Sequence, residues 1–175
     1  MQSVKVVVTG PFNAGKTTFI KSVSEITVLS TERQISATAG EGDGETTVAM
    51  DFGRITVSDD VVLYLFGTPG QARFSFMWET LSEGMLGFVL LVDADSPKSY
   101  EDARQMIQFF TEMSDVPFIV AANKVEADDL STLRSVRADL GLSDTTPLLP
   151  VDARSRDSVK AALLGLLYEI LKSME

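Results

Sequence analysis

The sequence predicts a three-layer α/β fold around a mainly parallel sheet, because segments with strand and helix patterns alternate along most of the chain. Two apolar runs, residues 86–92 and 117–122, have the continuous hydrophobicity of strands covered on both faces. A glycine-rich loop joins the first strand pattern to the first helix pattern. With 175 residues, 45% of them hydrophobic, the chain can form one compact domain.

The first half of the chain contains two strand patterns that form a hairpin. Residues 4–9 predict the first strand, and residues 18–26 predict the first helix. Residues 29–45 are polar and rich in glycine, so they cannot bury a core, and we expect a mobile loop there. Two alternating segments follow around a tight turn, which predicts antiparallel strands over residues 47–57 and 61–66.

The second half is more regular. Helices are predicted at residues 72–83, 97–113, 126–140 and 155–172, with a short strand at residues 147–151. Gly141 is placed to end the third of these helices, and Ser155 is placed to cap the fourth.

Composition excludes several classes of protein. The net charge of −10 disfavours a nucleic-acid binder, which normally carries a basic surface. The chain has neither cysteine nor histidine, so catalysis must depend on positioning, charge stabilisation and carboxylate or amide groups. No signal peptide, lipid anchor or transmembrane run is apparent, and we expect a cytoplasmic protein without an intrinsic membrane anchor.

Residues 10–17 have the sequence of a phosphate-binding P-loop, GPFNAGKT, between a strand and a helix. Gly10 and Gly15 allow backbone N–H groups to converge on an anion, and the following helix adds the positive end of its dipole. Lys16 can reach the terminal phosphates, and the Thr17 hydroxyl can coordinate Mg²⁺. The predicted nucleotide-binding residues of this loop are Gly10, Asn13, Ala14, Gly15, Lys16, Thr17 and Thr18.

Two further segments can respond to a γ-phosphate. Thr47 can place its hydroxyl on Mg²⁺ and its N–H on the phosphate, which would order the preceding loop. In the sequence GTPGQ, Gly70 can donate its N–H to the γ-phosphate and Gln71 can orient an attacking water. The predicted catalytic residues are therefore Lys16, Thr47, Gly70 and Gln71, and the predicted metal ligands are Thr17 and Thr47.

Two loops at the ends of later strands can bind the base, because ligands lie at the carboxyl ends of strands in open α/β sheets. In the sequence NKVE, Glu126 can accept hydrogen bonds from guanine N1–H and N2–H₂. Asn123 would brace the loops, and the stem of Lys124 would cover the base. In the sequence DAR, the Ala153 N–H can meet a guanine carbonyl and the Arg154 stem can pack on the base.

The ordered set GPFNAGKT, Thr47, GTPGQ, NKVE and DAR resembles a small Ras-like GTPase over essentially the whole chain, residues 1–175 as a single G domain. The segments TTVAMDFG and LYLFGTPGQARF resemble the prokaryotic GTP-binding proteins of the conservon and mutual-gliding types. This resemblance implies a six-stranded sheet with five helices and one antiparallel strand. It also implies hydrolysis of GTP to GDP and phosphate with Mg²⁺, and regulators of the roadblock type. We expect this hydrolysis to be slow without a partner.

Two positions depart from that pattern. Gly67 stands where Ras-like proteins usually carry an aspartate that holds a water on Mg²⁺, and Asp51 or Asp93 is a candidate substitute. Glu126 replaces the usual guanine-reading aspartate. These departures leave two alternatives open: a nucleotide-binding scaffold that does not hydrolyse, and a P-loop protein with relaxed or ATP specificity.

The segment after GTPGQ is a candidate surface for a regulator. Its aromatic and apolar residues are denser than one buried helix face accommodates, so we expect some of them at the surface. They are Phe74, Phe76, Met77 and Trp78. An arginine that stabilises the transition state is another requirement, and Arg33, Arg54 and Arg73 are the candidates in the chain itself.

Overall fold

A computed structural model of the chain describes residues 1–36 and 45–175. Within these ranges seven strands form one sheet in the order β2-β3-β4-β1-β5-β6-β7. The strands are β1 (Gln2–Thr9), β2 (Leu29–Ser36), β3 (Glu45–Ser58), β4 (Val61–Gly67), β5 (Gly87–Asp93), β6 (Phe118–Asn123) and β7 (Leu148–Val151). The helices are α1 (Lys16–Val23), α2 (Phe76–Ser82), α3 (Tyr100–Met113), α4 (Leu130–Leu140) and α5 (Arg156–Ser173). Short 3-10 turns, Ala72–Phe74 and Pro97–Ser99, precede α2 and α3.

Helices cover both faces of the sheet. On one face α1 and α5 pack on apolar side chains of β1, β4 and β6, and Phe19 and Leu166 are fully buried there. On the other face α2, α3 and α4 enclose a second apolar cluster that includes Phe88 and Phe110. Strand β5 is buried along its whole length and contributes to both clusters, as expected for a central parallel strand.

The predicted three-layer α/β fold, with a mainly parallel sheet, one antiparallel strand and five helices, is confirmed, and the described residues add β2 as a seventh strand to the six expected. The antiparallel strand is β3, which pairs with β2 on one side and β4 on the other. The prediction of a loop throughout residues 29–45 is wrong in part. Leu29–Ser36 forms the edge strand β2, and Glu45 already belongs to β3, while residues 37–44 lie outside the described residues.

Helix boundaries follow local capping. Helix α4 begins at Leu130, four residues later than predicted, because Asp129 accepts a hydrogen bond from the Thr132 N–H and acts as its N-cap. Gly141 ends this helix in a left-handed conformation, with φ 66°, as its position predicts. Ser155 caps α5 by accepting from the Ser158 N–H, which is also confirmed. Glu126 therefore lies in the loop between β6 and α4 rather than in a helix.

Strands β4, β1, β5, β6 and β7 all run parallel, so the loops that follow them meet at one edge of the sheet. This edge carries the P-loop and the loops after β4, β6 and β7. Nowhere in residues 1–36 and 45–175 is there a helix with both the length and the apolar character needed to cross a bilayer.

Candidate nucleotide-binding site

The P-loop follows β1 and curls through backbone conformations that favour glycine. Gly10 has φ 153° and Gly15 has φ 106°, while Asn13 adopts a left-handed conformation with φ 65°. A Cβ at Gly10 would lie 2.1 Å from the carbonyl oxygen of Leu91, so the loop can pass β5 only without a side chain. Helix α1 begins immediately after Gly15, which aims the helix N-terminus into the loop.

The Lys16 ammonium group is folded into the P-loop. Its Nζ donates to the carbonyl oxygens of Gly10 and Pro11 at 2.7 and 2.8 Å. Burial lowers the pKa of Lys16 from 10.5 to about 8, and the nearby charge of Asp51 opposes that shift. The Lys16 ammonium group is thus bound by uncharged carbonyl oxygens. A bound phosphate would be a stronger acceptor because it carries full negative charge.

Asp51 contacts the predicted metal-binding threonine. The Thr17 hydroxyl donates to Asp51 Oδ2 at 2.6 Å. Asp51 lies on β3, directly opposite Gly67 on β4. A Cβ at Gly67 would lie 3.2 Å from the Asp51 Cβ and 3.3 Å from Oδ2, so the absence of a side chain at Gly67 gives the Asp51 carboxylate its space. The neighbouring strand therefore brings a carboxylate beside Thr17.

Asp93, the other candidate substitute, lies on the opposite side of the P-loop. Its Oδ2 accepts from Lys124 Nζ at 2.9 Å, and its Oδ1 accepts from the Asp95 N–H at 2.9 Å. Both carboxylate oxygens of Asp93 thus already accept hydrogen bonds, one of them from Lys124 in the loop after β6. Of the two candidates, only Asp51 contacts Thr17.

The loop after β4 lies against the P-loop. A Cβ at Gly70 would lie 2.5 Å from the Phe12 nitrogen and 2.8 Å from Lys16 Nζ, so a side chain there would collide with backbone. Gly70 and Gln71 line a cavity of about 410 Å³ together with the residues that surround Lys16. The Gln71 Oε1 accepts from Arg73 Nε at 2.6 Å, and the Arg73 guanidinium lies 4.9 Å from the centre of the Phe74 ring.

Thr47 lies within β3 rather than at its entrance, in register with Gln34 of β2. It precedes Asp51 by four residues, roughly 13 Å along an extended strand. The side chains of Thr47 and Arg33 are not among those that the structure describes. Arg54 lies on β3 opposite Tyr64, and Arg73 contacts Gln71.

Asn123 joins the loops on the other side of the P-loop, as its position predicts. Its Nδ2 donates to the Ala14 carbonyl oxygen at 3.1 Å. Its Oδ1 accepts from the N–H groups of Ala153 and Lys124, both at 3.0 Å. A Cβ at Gly15 would lie 2.7 Å from Asn123 Nδ2, so this close approach also requires glycine. One buried side chain therefore connects the P-loop with the loops after β6 and β7.

The other predicted base-binding residues line a second cavity of about 470 Å³. Glu126 is exposed at this cavity, and Lys124 forms its ion pair with Asp93 there. Arg154 is drawn back onto Asp152, with Nε 3.1 Å from Oδ1. The Ala153 N–H already donates to Asn123, so contact with a base carbonyl would require that N–H to be shared.

The two cavities share the P-loop residues Asn13, Gly15 and Thr18. They therefore form one elongated site, with Lys16, Thr17 and Asp51 at one end and the loops after β6 and β7 at the other. An extended ligand with an anionic end and a planar polar end fits this division.

The expectation that some residues of the candidate surface after GTPGQ are exposed is confirmed by Phe76, whereas Phe74 and Trp78 are buried. Phe74 is 7% exposed and Trp78 is 4% exposed. Trp78 is buried because its ring packs on Phe109 and Phe110, and its Nε1 donates to the Pro69 carbonyl oxygen at 2.9 Å. Phe76 is 60% exposed, and Met77 is half-buried.

Several cavity-lining residues are not among the predicted site residues, and Phe12 and Asp95 are two of them. Phe12, which is 62% exposed, lines the first cavity, and Asp95 lines the second. Asp95 follows β5 at the same sheet edge as the other loops, so the rule that identified those loops could also have identified it.

Comparisons with known proteins support a nucleotide-binding protein. A family described as conserved hypothetical ATP binding protein matches residues 27–172. An uncharacterized protein of Methanocaldococcus jannaschii is 32% identical over 129 residues, which is 74% of this chain and 75% of that protein. Circularly permutated Ras protein 1 of Dictyostelium discoideum is 25% identical over 147 residues, covering 82% of this chain and 17% of that protein.

Ras-related protein Rab-8B of Homo sapiens is 25% identical over 134 residues, or 73% of this chain and 65% of that protein. The relatives that carry Ras names are thus distant, and they support a P-loop, GTPase-like relationship together with nucleotide binding. The match to most of the chain shows that this protein belongs to the family described as conserved hypothetical ATP binding protein.

Proposed function

We propose that the protein is a guanine-nucleotide switch that binds GTP and GDP with Mg²⁺ and, without a partner, hydrolyses GTP slowly to GDP and phosphate. The observation that carries this proposal is the continuous site across the P-loop. Its two ends are a phosphate cavity beside Lys16 and a polar cavity formed by the loops after β6 and β7.

The residues beside Thr17 fit a magnesium ion. A hydroxyl and a carboxylate 2.6 Å apart are the hard oxygen donors that Mg²⁺ prefers. Thr17 would bind the ion directly, Asp51 would orient one of its waters, and Thr47 would add a second hydroxyl. When bound, the metal supplies positive charge that offsets the charge of the phosphate oxygens.

Hydrolysis requires a water in line with the γ-phosphate. Gln71 would orient this water, and Lys16 and the Gly70 N–H would stabilise the charge on the γ-phosphate oxygens. The new bond joins the water oxygen to the γ-phosphorus, while the bond from this phosphorus to the β–γ bridging oxygen breaks and its electron pair leaves with GDP. A proton of the water passes to an oxygen of the γ-phosphate, which leaves as inorganic phosphate. The Gln71 Oε1 already accepts from Arg73, which supports a slow basal rate because the side chain must reorient.

At the base end, Glu126 would accept hydrogen bonds from guanine N1–H and N2–H₂. The apolar stems of Lys124 and Arg154 would pack on the faces of the base. Asn123 would hold the surrounding loops, and the Ala153 N–H would share its hydrogen bond with the guanine carbonyl.

The same proposal extends to subclass and partner. The segments TTVAMDFG and LYLFGTPGQARF favour the prokaryotic conservon and mutual-gliding types, acting in the cytoplasm with a regulator of the roadblock type. Phe76 is an exposed aromatic residue at the start of α2, which follows the loop that carries Gly70 and Gln71. It is our candidate contact for that regulator. No nucleic-acid partner is proposed, because the net charge is −10.

The decisive experiment is a titration of the purified protein with GTP, GDP and ATP, each with and without Mg²⁺, followed by measurement of phosphate release. We expect GTP and GDP to bind more tightly than ATP, and phosphate release to be slow and Mg²⁺-dependent. Lys16→Ala should abolish tight binding of the triphosphate. ATP binding tighter than GTP would contradict the proposal.

The second candidate is an ATP-binding protein. It is favoured by the description of the matching family and by Glu126, whose extra methylene changes the reach of its carboxylate. The same titration separates the two candidates. Tight GTP binding with no phosphate release would instead support the non-hydrolysing scaffold.

A further inference from the structure

We propose that Asp95 is a second specificity-determining carboxylate of the base cavity, and that it accepts a hydrogen bond from the exocyclic amino group of guanine beside Glu126. This inference rests on the proposed function, because it concerns how that site selects its base. It assigns a role to a residue outside the NKVE and DAR loops.

Hydrogen bonds fix the position of Asp95 relative to the loop after β6. The Asp95 N–H donates to Asp93 Oδ1 at 2.9 Å, and Lys124 Nζ donates to Asp93 Oδ2 at 2.9 Å. The Ala94 N–H donates to the carbonyl oxygen of Asn123 at 3.1 Å. The turn after β5 and the loop after β6 are therefore linked by two hydrogen bonds, and the bond between Asp95 and Asp93 braces the turn itself. Asp95 faces the cavity from a supported backbone rather than from a free loop.

The acidic residues around this cavity differ in whether they are paired. Asp93 is paired with Lys124, and Asp152 is paired with Arg154. Both Asp95 and Glu126 are exposed at the cavity, and within the described part of the chain neither carboxylate has a hydrogen bond or an ion pair. Two carboxylates with unused acceptor sites thus line one cavity, where they can accept hydrogen bonds from a ligand that carries donors.

Guanine has more donors on one edge than a single carboxylate accepts. Its N1–H and one N2–H are parallel and suit one bidentate carboxylate, which leaves the second N2–H without a partner. Adenine has no N1–H and offers an acceptor there instead. Glu126 would take the parallel pair, and Asp95 would accept the remaining N2–H. Each carboxylate then contributes separately to discrimination.

Inosine triphosphate tests this division because hypoxanthine keeps N1–H and lacks the N2 amino group. The dissociation constants of GTP and inosine triphosphate would be measured for the full chain and for Asp95→Asn and Glu126→Gln. We expect Asp95→Asn to weaken GTP about tenfold and to change inosine triphosphate less than twofold. Glu126→Gln should weaken both nucleotides, because both carry N1–H.

Asp128→Asn is the matched control, since Asp128 is an exposed residue of the same loop that does not line the cavity. It should change neither affinity by more than twofold. The two nucleotides carry the same charge, so an equal change in both for Asp95→Asn would mean that Asp95 acts through charge alone and would overturn the inference. Wild-type protein that prefers ATP to GTP would instead overturn the proposed function.

Discussion

The two ends of the site differ in how their parts are held. At the base end, Asn123 connects three loops through three hydrogen bonds, and Lys124 and Arg154 are paired with aspartates. At the phosphate end, Lys16 donates to carbonyl oxygens of its own loop, and Gly70 lies close to the Phe12 backbone. The hydrogen bonds of Asn123 already hold the loops of the base end together, whereas the Lys16 hydrogen bonds at the phosphate end would be replaced when a phosphate binds.

This difference indicates which end of the site would change conformation when a nucleotide binds. A base can enter the second cavity while the Asn123 hydrogen bonds stay in place. Phosphates, in contrast, must draw Lys16 away from Gly10 and Pro11 and must meet Gly70 and Gln71. A ligand shifts the equilibrium between two protein conformations only if it makes different contacts in each of them. We expect those differing contacts at the phosphate end. The following predictions test this comparison.

Asn123→Ala should have the largest effect on the folded protein. It removes three hydrogen bonds and leaves buried N–H and carbonyl groups without partners, so the free energy of unfolding should fall by about 3 kcal/mol. Urea denaturation measures this change. Gln105→Ala on the exposed face of α3 is the control and should stay within about 0.5 kcal/mol of wild type. An equally small effect for Asn123→Ala would contradict the view that the base end is held by this residue.

Asp51→Asn should weaken Mg²⁺ binding about 30-fold, because the variant keeps a hydrogen-bond acceptor for Thr17 but removes the charge beside it. The measurement is the Mg²⁺ dependence of GDP dissociation. Asp93→Asn is the comparison, since its carboxylate pairs with Lys124, and it should leave the Mg²⁺ dependence unchanged. Similar Mg²⁺ requirements for Asp51→Asn and wild type would remove Asp51 from the metal site.

Gly70→Ala should lower the rate of GTP hydrolysis about tenfold and change GDP affinity less than threefold. The new Cβ would collide with the Phe12 nitrogen, so the loop carrying Gln71 must move away from the P-loop. Single-turnover phosphate release measures the rate. Gly84→Ala controls for the loss of a glycine, because nothing lies within 4 Å of a Cβ at Gly84, although its φ of 75° adds local strain away from the site.

The smallest effect concerns pH. In the free protein the pKa of Lys16 is about 8, and a bound phosphate should raise it, so binding above pH 8 must take up a proton. Triphosphate affinity is therefore highest below pH 8 and should fall about threefold between pH 7.5 and 8.5. Calorimetric titrations across this range measure the slope. Lys16→Arg stays charged, and its affinity should be independent of pH over the same interval.

The sequence was sufficient to predict the fold and the positions of the P-loop, GTPGQ and NKVE, because glycine spacing and buried strands are local signals. Strand β2 was missed because Leu29–Ser36 is polar and forms an edge strand, whose partner is set by hydrogen bonds to β3 rather than by apolar periodicity. The start of α4 was misplaced because the helix-forming residues after Val125 precede the true cap at Asp129.

The remaining differences are tertiary. The contact between Asp51 and Thr17 depends on the register of β3 with β4, which places Asp51 opposite Gly67, and no local pattern specifies that register. The burial of Trp78 depends on α3, which supplies Phe109 and Phe110 from a distant part of the chain. Periodicity in the α2 segment could not show that a second helix covers it.

The hydrogen bond between the Trp78 indole and the Pro69 carbonyl has an optical consequence. Trp78 is the single tryptophan of the chain, so all indole emission comes from one site. Its donor contacts the residue next to Gly70, at the wall of the phosphate cavity. Emission wavelength and quenching should therefore report the conformation of this loop in the unmodified protein, without any attached dye. Stopped-flow fluorescence could then resolve nucleotide entry from the loop movement that follows it.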